Sequence, residues 1–252
     1  MYELLHGIKK PILLSILGII GILILIPIMT YFFFIGDLKD KESLMNRNSG
    51  GITLLDRNDK EFFTFYQPKK LTFIPLSDIP KYTQDALISS EDKEFYTHQG
   101  ISLRGIGRAV LADIKHERFI YGGSTITQQL VKNALLSQEK TFFRKYQELF
   151  LAYEVERRFT KEDILEMYLN SVYFGEGAFG IENAAQVYFG KHAKDLTLAE
   201  STLLIGLLPA PSRLSPLSND PQDAKERQNI VLESMVKDKK ITEEEAGFAK
   251  NK

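Results

Sequence analysis

The 252-residue chain falls into three stretches by its pattern of apolar and polar positions. The first, "PILLSILGIIGILILIPIMTYFFFIG" (Pro11 to Gly36), contains no charged residue. A membrane-spanning helix needs about 20 apolar residues, so this run predicts a transmembrane anchor over 11–36. A cleaved signal peptide would carry a shorter apolar region, about 7–15 residues, followed by small residues. Tyr31, Phe32, Phe33 and Phe34 offer no such cleavage site. Lys9 and Lys10 before the span are matched by Lys39 and Lys41 after it, so flanking cations do not orient it. The short N-terminal tail favours an inside N-terminus, with the bulk of the chain outside. Residues 37–50 are polar and charged and predict a juxtamembrane linker.

The second stretch, "GITLLDRNDKEFFTFY", has short apolar runs on either side of "DRND", the mark of a hairpin. The third begins at Leu76 and is helical in pattern almost to the end. Thr160 with Asp163, Thr197 with Glu200 and Thr242 with Glu245 each place a hydroxyl three residues before a carboxylate, marking helix starts. Residues 51–252 are therefore expected to form one mainly α domain with a small β element.

With 44% hydrophobic residues the chain can bury a core of its own. A net charge of −1 gives no global attraction to nucleic acid. The absence of cysteine excludes disulfides and thiolate metal sites. Four histidines without paired spacing give no metal site of histidine type.

Candidate chemistry starts with "GGSTITQQLVKN", Gly122 to Asn133. Glycines before Ser124 and Thr125 predict a loop entering a helix, capped by Thr125 with Gln128. At 3.6 residues per turn Thr125, Gln128, Gln129 and Lys132 share one stripe, opposite Ile126, Leu130, Val131 and Ala134. An ordinary solvated face explains such a stripe, but solvated faces are usually rich in Lys and Glu. Neighbouring amides suit sugar hydroxyls, and a helix N-terminus with a lysine suits phosphate.

Two carboxylates could act on such a ligand. Glu91 follows the apolar Ala86, Leu87 and Ile88, with Phe95, Tyr96 and Ile101 nearby. Apolar surroundings disfavour its ionised form and suit it to general-base work, although a lone Glu there also reads as a surface or capping carboxylate. Glu148 lies on the second apolar face (Leu151, Ala152, Val155) of a helix whose first face is Phe142, Phe143, Tyr146, Leu149, Phe150 and Tyr153. A helix apolar on two sides is sandwiched, so Glu148 is expected to be partly buried, with an intrahelical pair to Arg144 as the plain alternative.

Together these residues resemble glycosyltransferase family 51, the peptidoglycan glycan polymerases. The likeness runs from about Leu76 to Ala249 through "EDKEFYTHQG", "GGSTITQQLVKN", "RKYQE", "KEDILEMYLN" with "YFGEGAFGIENAAQVYFGK", and "RQNIVLESM". The resemblance implies a lysozyme-like helical fold acting on lipid II and the growing glycan strand at the bacterial cytoplasmic membrane, single-pass, with the catalytic domain outside. It carries the general-base role onto Glu91 and the second carboxylate onto Glu148. Ser124, Thr125, Gln128, Gln129, Lys132, Lys140, Arg144 and Arg227 become substrate contacts. Asp92, Phe95, His98, Gly100, Gly123, Asn133 and Asn170 become motif or structural positions. No cofactor is firmly implied, and Mg²⁺ or Mn²⁺ at the pyrophosphate is left open. Further wall-synthesis proteins are possible partners, and nucleic acid is not.

Two positions depart from the family pattern. Gln147 stands where several relatives carry Lys, and Lys140 where some carry Arg, keeping the charge but losing the bidentate fork. Little sequence follows the last motif, so a monofunctional enzyme and a truncated bifunctional one are both open. The rivals are a glycan-cleaving enzyme on the same scaffold, which would not need the cations Lys132, Lys140 and Arg144, and a non-catalytic precursor binder. Ile101, Leu103, Ile106 and Phe119 to Tyr121, set among Arg104, Arg108, Lys115 and Arg118, predict a segment touching the bilayer.

Overall fold

The computed structural model describes residues 10–46, 52–55, 61–65, 72–102, 104–105, 107, 123–136 and 141–251. Lys140, the "DRND" turn, and Leu103, Ile106, Arg108, Lys115, Arg118 and Phe119 to Tyr121 of the expected bilayer segment lie outside these residues.

Helix α1 (Lys10–Phe34) covers the uncharged run. Its Ile12–Phe34 portion has a mean hydropathy of 3.0 and is long and apolar enough to cross a membrane. The apolar side chains of its first turns face outward, while Thr30 and Phe34 at its end are buried against the rest of the chain. There α5 (Phe142–Arg158, below) receives it: Gln147 Nε2 donates to Thr30 Oγ1 at 3.4 Å. The Arg158 guanidinium lies 5.7 Å from the centre of the Tyr31 ring.

The expected linker departs from expectation. Residues 41–46 form a short helix, α2 (Lys41–Asn46), and Leu38 and Leu44 are 1% and 0% exposed. Lys41 Nζ reaches Asp163 Oδ1 at 2.6 Å and Glu166 Oε1 at 2.7 Å. The polar composition that reads as a linker is thus one charged face of a docked segment. Its two leucines, spaced six apart, are too few to show as a periodic pattern.

The hairpin forms as expected, β1 (Ile52–Leu55) antiparallel to β2 (Glu61–Phe65). Ile52 pairs with Phe65 and Leu54 with Phe63, and an irregularity follows between Leu54 and Leu55.

The rest is helical: α3 (Lys81–Glu91), α4 (Ile126–Leu135), α5 (Phe142–Arg158), α6 (Lys161–Ser171), α7 (Ile181–Phe189), α8 (Leu198–Leu207), α9 (Pro211–Leu214), α10 (Pro221–Lys237) and α11 (Glu243–Lys250). Reciprocal capping boxes open α4 at Thr125, α6 at Thr160, α8 at Thr197 and α11 at Thr242. Each satisfies two backbone donors that a helix start leaves unpaired, and losing one costs about 1 kcal/mol.

Two packing groups frame the site. Helix α3 packs on α8 and α10, and α4 packs on α5 and α6. Helix α8 is largely enclosed, and Thr83 Oγ1 of α3 meets Ser201 Oγ of α8 at 2.7 Å inside that contact. A Cβ on Gly206 of α8 would stand 3.1 Å from Gln228 N and 3.3 Å from Arg227 Cβ. Glycine there lets α10 come close enough to bring Arg227 toward the end of α3. Asn170 of α6 is buried, accepts from Ile74 N at 2.9 Å and donates to Ile74 O at 2.9 Å. It clamps the extended approach to α3.

Candidate active site

Glu91 is the last residue of α3. The apolar Ala86, Leu87, Ile88 and Phe95 behind it are buried, as expected. Gln129 of α4 reaches across, its Nε2 donating to Glu91 Oε2 at 2.8 Å. Burial pushes the Glu91 carboxyl above its ordinary range; the Gln129 bond and the charges of Arg227 and Lys132 pull it back in part, and Asp92 pushes it up. It is half-buried, so an acceptor group can still approach it.

Asp92 next door has a different task. Its carboxylate is buried, takes the Ile126 N–H at the start of α4 at 3.0 Å, and meets His98 Nε2 at 2.9 Å. The Gly100 N–H donates to His98 Nδ1 at 3.1 Å. That leaves the ring proton on Nε2, donated to Asp92. Lys161 Nζ donates to His98 O and stands 4.6 Å from the centre of the Phe95 ring. Asp92, Phe95 and His98 therefore hold residues 92–100 against the start of α4.

Gly100 has φ +83°, and a Cβ there would lie 2.8 Å from Ala152 O of α5. Its carbonyl accepts the Thr125 hydroxyl at 2.7 Å. A single residue thus ties the Glu91 loop, α4 and α5 together.

The second motif divides in two. The side chains of Thr125 and Gln128, expected to contact substrate, turn inward and are buried. Gln128 Oε1 accepts the Thr125 N–H at 3.0 Å and Thr125 Oγ1 accepts the Gln128 N–H at 3.1 Å. The amide expected to meet sugar is consumed by the capping box. Ser124, Gln129 and Lys132 remain on the open side, with Gly123 leading in and Asn133 half-buried beside Lys132.

Glu148 is 2% exposed. Its cation is Lys145, one turn earlier, rather than Arg144. The Lys145 ammonium also donates to Ser124 Oγ at 3.0 Å, linking α5 to the loop before α4. Lys132 lies within the field of both groups. Burial lowers its pKa, Arg144 and Lys145 lower it further, and Glu148 and Glu91 raise it. The Nε groups of Arg144 and Arg227 are buried without a hydrogen-bond partner among the described residues. Gln147 turns away from this group, toward Thr30 of α1.

The structure thus gathers Glu91, Gln129 and Arg227 on one side and Ser124, Lys132, Arg144, Lys145 and Glu148 on the other. Sequence reasoning counts Lys145 among the cations at the start of α5 but pairs Glu148 with Arg144; the i,i+3 spacing of Lys145 to Glu148 was the available signal. It missed two contributors outright. Tyr168, whose hydroxyl donates to Gln129 Oε1 at 2.8 Å, and Gly206 act across helices far apart in sequence. Among the described residues no group of three His, Asp or Glu side chains stands ready to hold a metal ion.

The family model described as Transglycosylase matches residues 58–236. Penicillin-binding protein 1A of Neisseria gonorrhoeae is 42% identical over 193 residues, covering 77% of this chain and 24% of that protein. Penicillin-binding protein 1A of Rickettsia bellii is 40% identical over 249 residues, covering 98% of this chain and 31% of that protein. A crystal structure of penicillin-binding protein 1A from Haemophilus influenzae aligns with TM-score 0.43 and 22% identity over 81% of this chain and 20% of that one. The chain spans about a quarter to a third of the length of these curated relatives. It belongs to the transglycosylase family, glycosyltransferase family 51, a family of peptidoglycan glycosyltransferases.

Proposed function

We propose that this chain polymerises peptidoglycan glycan, moving the growing strand from its undecaprenyl pyrophosphate carrier to the 4-hydroxyl of GlcNAc in lipid II. The observation that carries this reading is the opposition of a desolvated carboxylate, Glu91, to a cation group around Glu148. Glu91 takes the hydroxyl proton, and the oxygen attacks C1 of the donor MurNAc from the face opposite the carrier. The C1–O bond to pyrophosphate breaks, and a β-1,4 bond forms with inversion. Lys132, Arg144 and Lys145 offset the charge gathering on the departing pyrophosphate, electrostatic work that often dominates catalysis. A glycan-cleaving enzyme would have no such charge to meet. The donor set does not suit a resident divalent cation, because Lys145 engages Glu148 and Gln129 engages Glu91. Any Mg²⁺ or Mn²⁺ would be held chiefly by pyrophosphate oxygens.

Helix α1 is long and apolar enough to cross a membrane, which supports anchoring in the bacterial cytoplasmic membrane. In this reading it is a single pass with the N-terminus inside and the catalytic domain on the outer face, where lipid-linked precursor is presented. Incubation of the purified chain with lipid II tests the reading. Long glycan should appear together with free undecaprenyl pyrophosphate. Shortening of pre-formed glycan, with no carrier released from lipid II, would replace it with the lytic alternative.

A further inference from the structure

We propose that Tyr168 is a positioning residue for the base: its hydroxyl fixes the Gln129 amide in the one orientation that donates to Glu91. Gln129 bridges the two, with Tyr168 O–H to Oε1 at 2.8 Å and Nε2–H to Glu91 Oε2 at 2.8 Å. A glutamine amide has two chemically opposite ends of nearly equal shape. Turned over, it would point a carbonyl oxygen at a carboxylate, and the two acceptors would repel. An ionised Glu91 favours the donating orientation by itself. A protonated Glu91 could instead donate to a turned carbonyl, and there the group at the other end of the amide decides.

Tyr168 can make that choice because its phenol proton has Gln129 Oε1 as its acceptor. The residue lies within the core, 1% exposed, on α6. Burial and the charge of Glu91 hold its hydroxyl well above the ordinary tyrosine range, so the proton stays on at any working pH. Against a turned amide the phenol proton would face an N–H donor and lose its acceptor, and a buried unmet donor is strongly disfavoured. The relay therefore runs one way, from Tyr168 through Gln129 to Glu91. It occupies one carboxylate oxygen and leaves Oε1 for the incoming hydroxyl.

The consequence is a tuned base. Burial raises the Glu91 carboxyl above its ordinary range. The groups facing it are Gln129 and Lys132 from α4, Arg227 from α10, Tyr168 from α6 and Asp92 beside it, and the Gln129 hydrogen bond is the largest of the influences that restore the carboxylate. Without the Tyr168 hydroxyl that hydrogen bond is lost for part of the time, and the base ionises at higher pH.

The kinetic part of this inference rests on Glu91 being the base in the proposed reaction; the titration part does not. Tyr168→Phe keeps the ring in the core and removes only the hydroxyl. In the full chain in detergent, the acid limb of the lipid II turnover profile should move to higher pH by about one unit. The carboxyl of Glu91, followed by ¹³C NMR and assigned by its absence in Glu91→Gln, should move by the same amount. Gln129→Met should give the same displacement, and adding Tyr168→Phe to it should give no more. A folded Tyr168→Phe whose Glu91 titrates as in the parent overturns the proposal, whether activity is kept or lost. If the parent fails to polymerise lipid II, the proposed function falls, and the carboxyl titration still decides the role of Tyr168. If Tyr168→Phe does not fold, Gln129→Met decides: an unmoved Glu91 titration there removes the relay.

Discussion

The two carboxylates of this site are held in opposite ways. Glu91 stands half-open at the end of α3, touched by a neutral amide, with cations near enough to act through their field. Glu148 is nearly inaccessible in the middle of α5 and is met directly by the Lys145 ammonium. A carboxylate left without a contacting cation in a desolvated place keeps an appetite for a proton. The first arrangement suits a base, and the second suits a fixed charge that holds cations in place for a leaving anion.

Glu91→Gln tests the first half and should have the largest effect. Turnover of lipid II should fall by about 10²–10⁴-fold, the usual worth of a general base, with donor binding largely kept. The same change should stabilise the fold at neutral pH. The carboxyl ionises later in the folded chain than in the unfolded one, so between the two values the folded state holds the extra proton. Stability then falls as pH rises through that window. Thermal unfolding of variant and parent should coincide at acid pH below the ordinary carboxylate range. The variant should gain as pH rises through the elevated folded value and hold that gain above it. A variant that loses stability on the alkaline side would mean Glu91 is held as a charge, like Glu148.

For the second carboxylate the comparison predicts an asymmetry. Lys145→Met leaves Glu148 buried without its cation and should cost about 3–5 kcal/mol in denaturant unfolding. Glu148→Gln should cost less, about 1–3 kcal/mol, because the half-exposed Lys145 can turn to water. Glu148→Gln should also slow turnover from the leaving-group side. Its effect should be non-additive with substitutions at Lys132 and Arg144, which act with it as a unit. Equal costs for the two single changes, or plain additivity, would separate Glu148 from the cations.

How far the sequence carried these assignments depended on range. Capping boxes at Thr125, Thr160, Thr197 and Thr242 were legible because their partners lie three residues away. The burial of Glu148 was legible from the Leu151, Ala152 and Val155 stripe, but the expected sandwich does not form: Phe142, Phe143 and Tyr153 on the other face are exposed. The partner of Glu148 was not legible, since i,i+3 and i,i+4 cations compete and only packing decides between Lys145 and Arg144. Gln128 was read both as the capping partner of Thr125 and as a substrate contact; its burial in the capping box favours the first. The docking of residues 37–46 and the approach of Arg227 past Gly206 depend on contacts between segments far apart in sequence, and no local pattern encodes those.

Gly100 joins the two halves, and Gly100→Ala probes how much each needs the other. The residue sits at φ +83°, with the carbonyl of Ala152 where a methyl would go. Backbone strain of this kind costs about 1–3 kcal/mol, read as a lowered unfolding midpoint. Because the methyl pushes α5 away from the loop after Glu91, turnover should fall by more than the folded fraction explains. Unchanged turnover per folded molecule would mean the two carboxylates work without a fixed separation.

The smallest effect is expected at Gln147, and it separates position in sequence from position in space. Several relatives carry Lys here, directly before the second carboxylate, which suggests a missing contact to pyrophosphate. In this chain Gln147 points instead to Thr30 at the end of α1, through a hydrogen bond 3.4 Å long. A bond of that length adds little, so Gln147→Ala should change stability by no more than about 0.5 kcal/mol. Gln147→Lys should leave turnover of lipid II within about twofold of the parent, because a one-residue step on a helix turns a side chain by about 100°, away from the face that holds Lys145 and Glu148. A tenfold gain in turnover from Gln147→Lys would show that position 147 does reach the leaving group, and that the cation group facing Glu148 extends onto the side of α5 that meets α1.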